Sequence, residues 1–309
     1  MRPLSEGVPG VGAASEADFA IDIAMPSAAL TGLVTAIYEI RIGAAPIADE
    51  LHPEWFNLRL RLSGDWWGQV ADGSAARIDG PLVQGPTTGL TGFGGQGGVM
   101  HGIGLMPAGW AQLFGGTAEG LANNGEPLDR FVPVEELDAL GGRLQAAADF
   151  AERASICEEA MLARLATRDT TARIERIKAV QTAISDPAIG TVEALADVTG
   201  LATRTLERLC RSAMGFAPKL LLRRQRFMRM LGQMHLQSPA DWPDFLDPLY
   251  TDQSHMIRDF RTFLGTTPTG YFARERPILQ ASVAKRMAML GAPMQALPGT
   301  NKTSSVRQY

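Results

Sequence analysis

The chain has 309 residues, of which 45% are hydrophobic and 20% charged, and its formal net charge is −4. This length suffices for two domains with separate cores, and the composition is ordinary for a globular protein. A membrane span is disfavoured because the apolar runs are short, and residues 1–17 lack the apolar core of a secretory signal. We therefore expect a cytoplasmic protein in which Cys157 and Cys210 are free, buried thiols.

The overall charge conceals a strong polarity along the chain. Residues 1–170 carry 10 Lys and Arg against 22 Asp and Glu, a net charge of −12. Residues 201–231 carry seven Arg and one Lys against Glu207 alone, a net charge of +7. A basic segment of this kind indicates a nucleic-acid surface, although solvated helix faces are the commoner explanation of a charge run.

The N-terminal half is predicted to be an α+β domain over residues 18–168, barrel-like or sandwich-like with following helices, after a disordered segment at 1–17. The clearest strand is Phe56–Leu62, whose apolar residues alternate strictly with Asn57, Arg59 and Arg61. Further strands are predicted at Phe19–Ile23, Ala36–Ile42, Trp66–Ala71, Leu82–Gln84 and Val99–Met106. The Gly-rich stretch Gly89–Gly98 lacks the Gly-Lys-Ser/Thr ending of a phosphate-binding loop, so we predict a flexible connection there.

From Pro107 the chain becomes helical, because Pro fits the first turn of a helix. Three successive helices are predicted at 133–140, 142–151 and 155–167, and a hinge at 168–171.

Four residues of the N-terminal half are candidate effector ligands. Arg59 and Arg61 lie on one face of a strand and could hold an anion if that face lines a cavity, although solvent exposure is the favoured expectation. Trp55 and His101 are weaker candidates, for which a place in the core or on an edge strand is favoured. No metal-ligand spacing and no cofactor motif stands out.

The C-terminal half is predicted to be all helical. Its helices fall at 172–184, 192–199, 203–214, 218–233, 241–248, 253–264 and 268–274, with Gly or Pro near their ends. The tail from 281 to 309 is small and polar with Met, Pro and Gly, and is predicted to be disordered.

Residues 206–218 reappear, in type and spacing, at 256–268. Each copy is a short helix that is apolar on one side, carries two arginines elsewhere and ends in Gly and then Pro. The matched pairs, all offset by the same interval, are Leu206 and Met256, Arg208 and Arg258, Cys210 and Phe260, Arg211 and Arg261, Gly215 and Gly265, and Pro218 and Pro268. Two arginine-bearing helices on one chain favour an extended polyanion as the partner, and duplex DNA is the obvious one.

The surrounding residues suit helix-turn-helix units. Ala196 permits close helix approach, Gly200 accepts a positive φ in the turn, and Leu206 anchors the second helix, with Thr191 as the cap of the first. A second unit is predicted from about Trp242 to Gly265. The helix at 218–233 would hold the two recognition helices about one DNA turn apart, roughly 34 Å.

The segment GLATRTLERLCRSAMGFAPKLLLRRQRFMRML, together with DPLYTDQSHMIRDFRTFLGTTPTGYF, resembles the double helix-turn-helix domain of the AraC/XylS family of bacterial transcriptional regulators. The resemblance covers about residues 172–276. Its most specific part is Asp-Gln-Ser-His followed by Arg-x-Phe and Gly-x-x-Pro. Residues 18–168 more weakly resemble the β-rich domain with which such regulators sense a ligand or dimerise, so the resemblance implies effector sensing or dimerisation for this half. Gly102–Gly115 is similar to a segment of an uncharacterised AraC-like group.

The resemblance implies which residues contact DNA. The implied base contacts are Arg204, Glu207, Arg208, Gln253, Ser254, His255 and Arg258, and the implied phosphate contacts are Thr203, Arg211 and Arg261. Arginine suits guanine, Gln suits adenine, and Glu can accept from cytosine. Further partners implied are a small-molecule effector, a second copy of the chain and RNA polymerase. For His255, packing on the core is equally favoured, and Arg258 could instead pair with a carboxylate.

The sequence departs from the family pattern at three places. Two of them lie in the second unit, which we therefore expect to bind DNA more weakly. Ala202 stands where a Ser cap is usual, so Thr203 is expected to cap the helix instead. Leu249 replaces a turn glycine, and Pro243 and Pro248 interrupt the supporting helix.

Two other hypotheses remain open. The first is an enzyme with an active site in the N-terminal domain, disfavoured because no nucleophile–base pair or paired carboxylates stand out. The second is a DNA-binding protein whose N-terminal domain only mediates protein contacts.

Overall fold

The computed structural model describes residues 18–69, 74–235 and 253–290. The N-terminal half forms one antiparallel sheet of eight strands. These are β1 (Phe19–Ala24), β2 (Val34–Ile42), β3 (Ile47–Leu51), β4 (Phe56–Gln69), β5 (Ala75–Arg77), β6 (Leu82–Gln84), β7 (Thr91–Leu105) and β8 (Gly125–Pro127). The main path runs β1-β2-β7-β4-β6-β8, with β3 also paired to β7 and β5 to β4.

The long central strand β7 includes most of the Gly-rich stretch, so the prediction of a flexible connection at 89–98 was wrong. Thr91–Gly95 pairs with β3, and Gly98–Leu105 pairs with β2. The glycines are needed because neighbouring groups lie directly against the strand. A Cβ on Gly95 would stand 2.8 Å from the Trp66 ring, and one on Gly98 would stand 2.2 Å from the Ser63 carbonyl oxygen. Sequence periodicity does not show such cross-strand crowding.

One face of the sheet packs against three helices, α1 (Pro107–Phe114), α2 (Val134–Ala146) and α3 (Phe150–Ala166). Phe56, Leu58 and Leu60 are buried there, as their alternation predicts. The predicted break near 141 was wrong, because α2 continues through it. The chain instead breaks before Asp149, whose side chain caps α3 by accepting from the Glu152 backbone N–H at 2.9 Å.

The opposite face of the sheet is covered as well, by α10 (Pro277–Leu290). Residues 281–290 belong to this helix, so the prediction of disorder was wrong for that part of the tail. Ile278 is fully buried in the cluster that contains Ile40 and Trp66 of the sheet. The Asp49 carboxylate accepts from the backbone N–H groups of Ile278 at 2.7 Å and Leu279 at 3.1 Å, and so fixes the start of α10 on β3. The remainder of the tail lies outside the described residues, as does 1–17.

The C-terminal half contains only helices in the part that the structure describes. They are α4 (Ala172–Ser185), α5 (Val192–Thr199), α6 (Thr203–Met214), α7 (Pro218–Met234), α8 (Gln253–Leu264) and α9 (Pro268–Phe272), followed by α10. The predicted fold class, a β-rich N-terminal region with helices followed by a helical C-terminal region, is confirmed. No helix among the described residues combines the length and apolar character that crossing a membrane requires.

The two halves share a core. Leu33, Trp55 and Met106 of the N-terminal half lie in one buried cluster with residues of α4 to α7, including Leu206 and Leu221. Farther along, Leu90 belongs to the cluster of α7, α8 and α9. A change in the sheet can therefore act directly on the helices that follow.

Candidate nucleic-acid interface

The first helix-turn-helix unit has the predicted geometry. Thr191 caps α5 by accepting from the Ala194 backbone N–H at 3.1 Å. Gly200 ends the helix with φ of +64°, the left-handed conformation that a side chain would disfavour. Leu195 of α5 and Leu206 of α6 are both completely buried, which fixes the angle between the helices.

The outer face of α6 is free for a partner. Arg204, Glu207, Arg208 and Arg211 are all exposed, whereas the opposite side of the helix is buried in the shared core. Burial raises the pKa of the Cys210 thiol to about 12, so this side chain is a neutral core group, and Cys157 is likewise free and buried. The predicted amphipathic pattern of α6 is confirmed. The cap is not as expected, since Ala202 occupies the cap position without a side-chain bond and Thr203 is the first helical residue.

Helix α8 repeats this arrangement. Gln253, Ser254, Arg258 and Arg261 are exposed, and Met256, Phe260, Phe263 and Leu264 are buried. Ile257 is partly buried against the cluster of α7 and α8. The supporting helix predicted at 241–248 and the turn at Leu249 lie outside the described residues.

His255 and Arg258 differ in their surroundings. The Nε2 atom of half-buried His255 lies 3.1 Å from Nη2 of Arg226 on α7, so this ring is held by the neighbouring helix. The exposed Arg258 donates from Nε to the Ser254 carbonyl oxygen, one turn earlier on α8, at 3.3 Å. Arg258 is therefore the more accessible of the two to a partner.

An ion-pair clamp that the sequence did not reveal holds α8 on α7. The Asp259 carboxylate is completely buried and accepts from Arg223 Nε at 2.6 Å and from Arg226 Nη2 at 3.2 Å. Arg223 also donates to the Thr262 hydroxyl at 3.0 Å. The only signal in the sequence is an acidic residue at a position where the repeat in α6 has Leu209.

Helix α7 lies between α6 and α8 in the chain. Its 17 residues make a rod about 26 Å long, at 1.5 Å per residue. Its basic residues are not all available to a polyanion. The Arg224 guanidinium is buried 4.4 Å above the Trp55 ring, and burial lowers its pKa to about 10. The local charge of +7 therefore overstates the basic surface.

The structure places the four candidate effector residues in structural contacts. Arg59 is buried and pairs with Glu54 at 2.5 Å, so the expectation of solvent exposure was wrong for it. Arg61 donates to the carbonyl oxygens of Gly64 and Asp79 at 3.1 Å each. Trp55 packs beneath Arg224, in the core as favoured.

His101 is also in the core, completely buried beside Glu39, with 3.5 Å between Nδ1 and the nearer carboxylate oxygen. Burial alone would raise the pKa of Glu39, but the neighbouring His101 ring and hydrogen bonds from Arg153 and Arg41 outweigh it and lower the pKa to about 2. This cluster connects α3 to the sheet, and His101 lines neither of the cavities described for the two faces of the sheet.

Two cavities adjoin the sheet, one on each face. The α2 cavity, about 170 Å³, lies between the sheet and α1 to α3, and its lining is mostly apolar, with Arg143 and Arg164 at its edge. The α10 cavity, about 90 Å³, lies between the sheet, α7 and α10. Among the residues that the structure describes, no group of three or more His, Cys, Asp or Glu could hold a metal ion.

No family model and no curated protein sequence matches the chain. Solved structures do align with it. An apo ToxT variant from Vibrio cholerae gives a TM-score of 0.41 at 7% identity, covering 83% of this chain and 97% of that one. Unsaturated fatty acid bound ToxT from Vibrio cholerae gives 0.37 at 9% identity, covering 84% and 96%. CuxR gives 0.28 at 15% identity, covering 74% and 90%. With TM-scores below 0.5, these alignments show a distant similarity and no more. At low identity, the chain is similar to ToxT and to the AraC-like transcriptional activator CuxR.

Proposed function

We propose that the chain is a sequence-specific, DNA-binding transcriptional regulator of AraC type, acting in the cytoplasm. Residues 172–276 are its double helix-turn-helix domain, and residues 18–168 are a domain that senses a small molecule or mediates dimerisation. The two recognition helices, α6 and α8, enter adjacent segments of the major groove. Contact with RNA polymerase and pairing of two chains belong to the same proposal.

One observation carries the proposal. Two helices of the same length, 12 residues each, expose arginines at matched positions while their opposite faces are buried. Insertion into the major groove requires a helix with one exposed face, whose opposite face is packed rigidly against the rest of the domain. In α6 the exposed set of Arg204, Glu207 and Arg208 offers both donors and an acceptor to base edges.

The residues that the family resemblance implies as DNA contacts are exposed on α6 and α8, apart from the half-buried His255. Arg204, Glu207, Arg208, Gln253, Ser254 and Arg258 are proposed to contact bases, and Thr203, Arg211 and Arg261 to contact phosphates. His255 is half-buried against Arg226, so we propose that it supports α8 as well as facing DNA. Phosphate contacts would fix the register and make affinity depend on salt, while base contacts would select the sequence.

The experiment is a gel-shift titration with the DNA upstream of the regulator's own gene, in competition with unrelated DNA. We expect a sequence-selective, salt-sensitive shift. Arg208→Ala should weaken it by about 1–3 kcal/mol, which is about 5- to 160-fold. A wild-type protein that binds the unrelated DNA equally well would contradict the proposal.

Arg130→Ala is the matched control. Arg130 is an exposed arginine of the N-terminal half, paired with Glu126 at 2.5 Å, and lies on neither recognition helix. Its removal deletes the same charge, so a general electrostatic effect would weaken binding in both variants. We expect the Arg130→Ala shift to match that of the wild type. Equal losses in the two variants would sink the assignment of α6.

A further inference from the structure

The α2 cavity lies within the N-terminal half, on the face of the sheet that α1, α2 and α3 cover. Leu60 of β4 and Ile103 of β7 line it from the sheet, and Leu137 of α2 and Met161 of α3 line it from the helices. All four side chains are buried. Protein interiors are close-packed, so a void of about 170 Å³ deprives these side chains of contacts that an occupant would restore.

The three charged residues of the lining, Glu136, Arg143 and Arg164, are already paired. The Glu136 carboxylate accepts from Arg164 Nη2 at 2.6 Å, and Arg143 Nη2 donates to the Glu159 carboxylate at 2.5 Å. Both pairs join α2 to α3. Every other side chain in the lining is apolar. A charged ligand would lose its hydration there without gaining a partner, so the lining favours an uncharged hydrocarbon.

Helix α2 contains two adjacent glycines that packing does not require. Gly141 and Gly142 follow Leu140, which lines the cavity. A Cβ on either glycine would meet no other part of the molecule within 4 Å, so alanine would fit at both positions and would favour the helix more. A helix kinks most readily at small residues such as these. The pair therefore gives α2 a place to bend away from the sheet and admit a ligand.

Helix α1 connects the cavity with the first helix-turn-helix unit. All of its residues are buried. Phe114 lines the cavity, whereas Ala111 of the same helix lies in the cluster that contains Leu206 of α6. Just beyond α1, the Ala118 backbone N–H donates to the Ser212 carbonyl oxygen of α6 at 2.7 Å. A ligand that displaces Phe114 would therefore act on a helix that packs against α6.

We propose that the α2 cavity binds a small uncharged hydrocarbon ring, of the size of benzene or toluene, and that α2 bends at Gly141 and Gly142 to admit it. The size follows from the volume, because a dry apolar cavity of roughly 150 Å³ holds benzene. The inference rests on the proposed function, since it names an effector class for the sensing domain. The bound ring would contact Phe114 and would thereby bias the position of α1, and with it that of α6.

The first experiment is NMR of the full chain with isotope-labelled methionine methyl groups, titrated with toluene in the absence of DNA. Met161 lines the α2 cavity and Met228 lines the α10 cavity, so the two methyl resonances report on the two cavities separately. We expect a saturable ring-current shift at Met161 with a Kd on the order of 1 mM or tighter, within the limit for a ligand of about seven heavy atoms. No shift at Met161 in toluene-saturated buffer, or a shift at Met228 as large as that at Met161, would overturn the proposal.

Charged analogues test the chemistry of the lining. Benzoate and benzylammonium carry the same ring with opposite charges, and each should bind at least about tenfold more weakly than toluene. The reason is that the ion pairs of Arg143 and Arg164 leave no charge for either ion to meet. Binding of either ion as tight as that of toluene would contradict an uncharged ligand.

The second experiment compares Ala160→Phe with Ala163→Phe. Both alanines belong to α3, but Ala160 lines the cavity whereas Ala163 is exposed and lies outside the lining. Ala160→Phe places a ring in the cavity and should weaken toluene binding by about tenfold or more, while Ala163→Phe should bind as the wild type does. Without ligand, Ala160→Phe should melt at or above the temperature of Ala163→Phe, because its ring fills a void. A much lower Tm for Ala160→Phe would show that the cavity does not accept a ring, and would overturn the proposal.

Replacing both Gly141 and Gly142 by alanine tests the bending of α2. The double variant should melt at a higher temperature than the wild type and should exchange toluene more slowly, because a stiffer helix opens less often. Line shapes of the Met161 methyl resonance measure the exchange rate. Gly80→Ala is the control, since Gly80 also has open space around it but lies in no helix. An exchange rate equal to that of Gly80→Ala would remove α2 as the entrance.

Gel-shift titrations with and without toluene separate this inference from the proposed function. A DNA-binding midpoint that toluene shifts in the wild type, but not in Ala160→Phe, supports both. Toluene binding at Met161 without any effect on a selective DNA shift would overturn the effector role and leave the regulator standing. Toluene binding by a protein that does not select any DNA would keep the site and remove the regulator.

Discussion

Helices α6 and α8 are held by different forces at equivalent positions. In α6 the buried position 209 is a leucine, packed in the apolar core that the two halves share. Fifty residues later, the equivalent position in α8 is Asp259, equally buried but clamped by Arg223 and Arg226 of α7. Apolar packing is insensitive to salt and pH, whereas a buried ion pair depends on every partner keeping its charge. Helix α6 is therefore held by apolar packing, whereas the position of α8 depends on the two arginines of α7.

The largest effect is expected when Asp259 of α8 is replaced by leucine, the residue at the equivalent position of α6. Asp259→Leu should lower the free energy of unfolding by about 3–5 kcal/mol, because Arg226 is left in a largely buried place without its carboxylate. Adding Arg226→Met should restore part of the loss. Urea denaturation measures both. Asp197→Leu, which alters an exposed acid of α5, is the control and should stay within about 0.5 kcal/mol of the wild type. If Asp259→Leu is equally mild, the clamp does not hold α8.

A second test concerns the contact between α10 and β3, in which Asp49 takes part. Helix α6 has no equivalent of this contact. Burial raises the pKa of Asp49 from 3.8 to about 6, against the lowering effect of its bonds to Glu50, Leu279 and Ile278. The folded state therefore binds a proton more readily than the unfolded chain, so the Asp49 contribution to stability is present below pH 3.8 and is lost as pH rises towards 6. The loss is on the order of 3 kcal/mol.

His235 acts in the opposite direction over nearly the same range. Burial lowers its pKa from 6.5 to about 4, so its contribution is present above pH 6.5 and is lost as pH falls. Burial lowers the pKa of His52 as well, so two histidines oppose Asp49 and the wild-type stability should fall as the solution is acidified from pH 6 to 4. Asp49→Asn, which lacks the opposing contribution, should lose stability more steeply over this range. Denaturation curves across this range measure it. A flat profile for Asp49→Asn would show that the contribution of the buried histidines is absent.

The third test compares the helices on DNA. Arg208→Ala and Arg258→Ala remove matched arginines, and each base contact is worth about 1–3 kcal/mol. Because α8 depends on the clamp, we expect the Arg258→Ala loss to be the smaller and to shrink further when the Asp259→Leu change is present. The Arg208→Ala loss should not respond to the clamp. Gel-shift midpoints of the single and double variants give the coupling, and equal coupling for both arginines would remove the distinction.

The smallest effect is expected for the phosphate contacts. Arg211→Ala and Arg261→Ala should each reduce the slope of log K against log salt by about one, with little change in preferred sequence. Titrations at several salt concentrations measure it. A changed sequence preference in either variant would mean that the arginine contacts a base.

Patterns of short range predicted the fold best. The strict alternation at 56–62 placed Phe56, Leu58 and Leu60 on a buried face, and Gly200, Gly215 and Gly265 marked three helix ends where the chain has positive φ. The exposed faces of α6 and α8 followed from helical periodicity. These features were predictable because they depend on a residue and its near neighbours in sequence.

The predictions for β7 and for residues 281–290 were wrong because both depend on contacts between residues far apart in the sequence. The glycines of β7 look like a loop until Trp66 and Ser63 are seen to press against them. Residues 281–290 look disordered until Asp49 of β3 caps the helix that contains them. Each case depends on a partner far away in sequence, whose identity local pattern does not encode.

The sequence by itself determined three features. These are the two amphipathic, arginine-bearing helices, the constant offset between their matched residues, and the acidic, β-rich character of the first half. Only the tertiary structure decided that Asp259 is a buried clamp, that Arg224 is lost from the basic surface, and that α10 returns to the sheet to place Arg286 over a cavity. The physical reason is that periodicity fixes which side of a helix is apolar, whereas the burial of a charge depends on what packs against it.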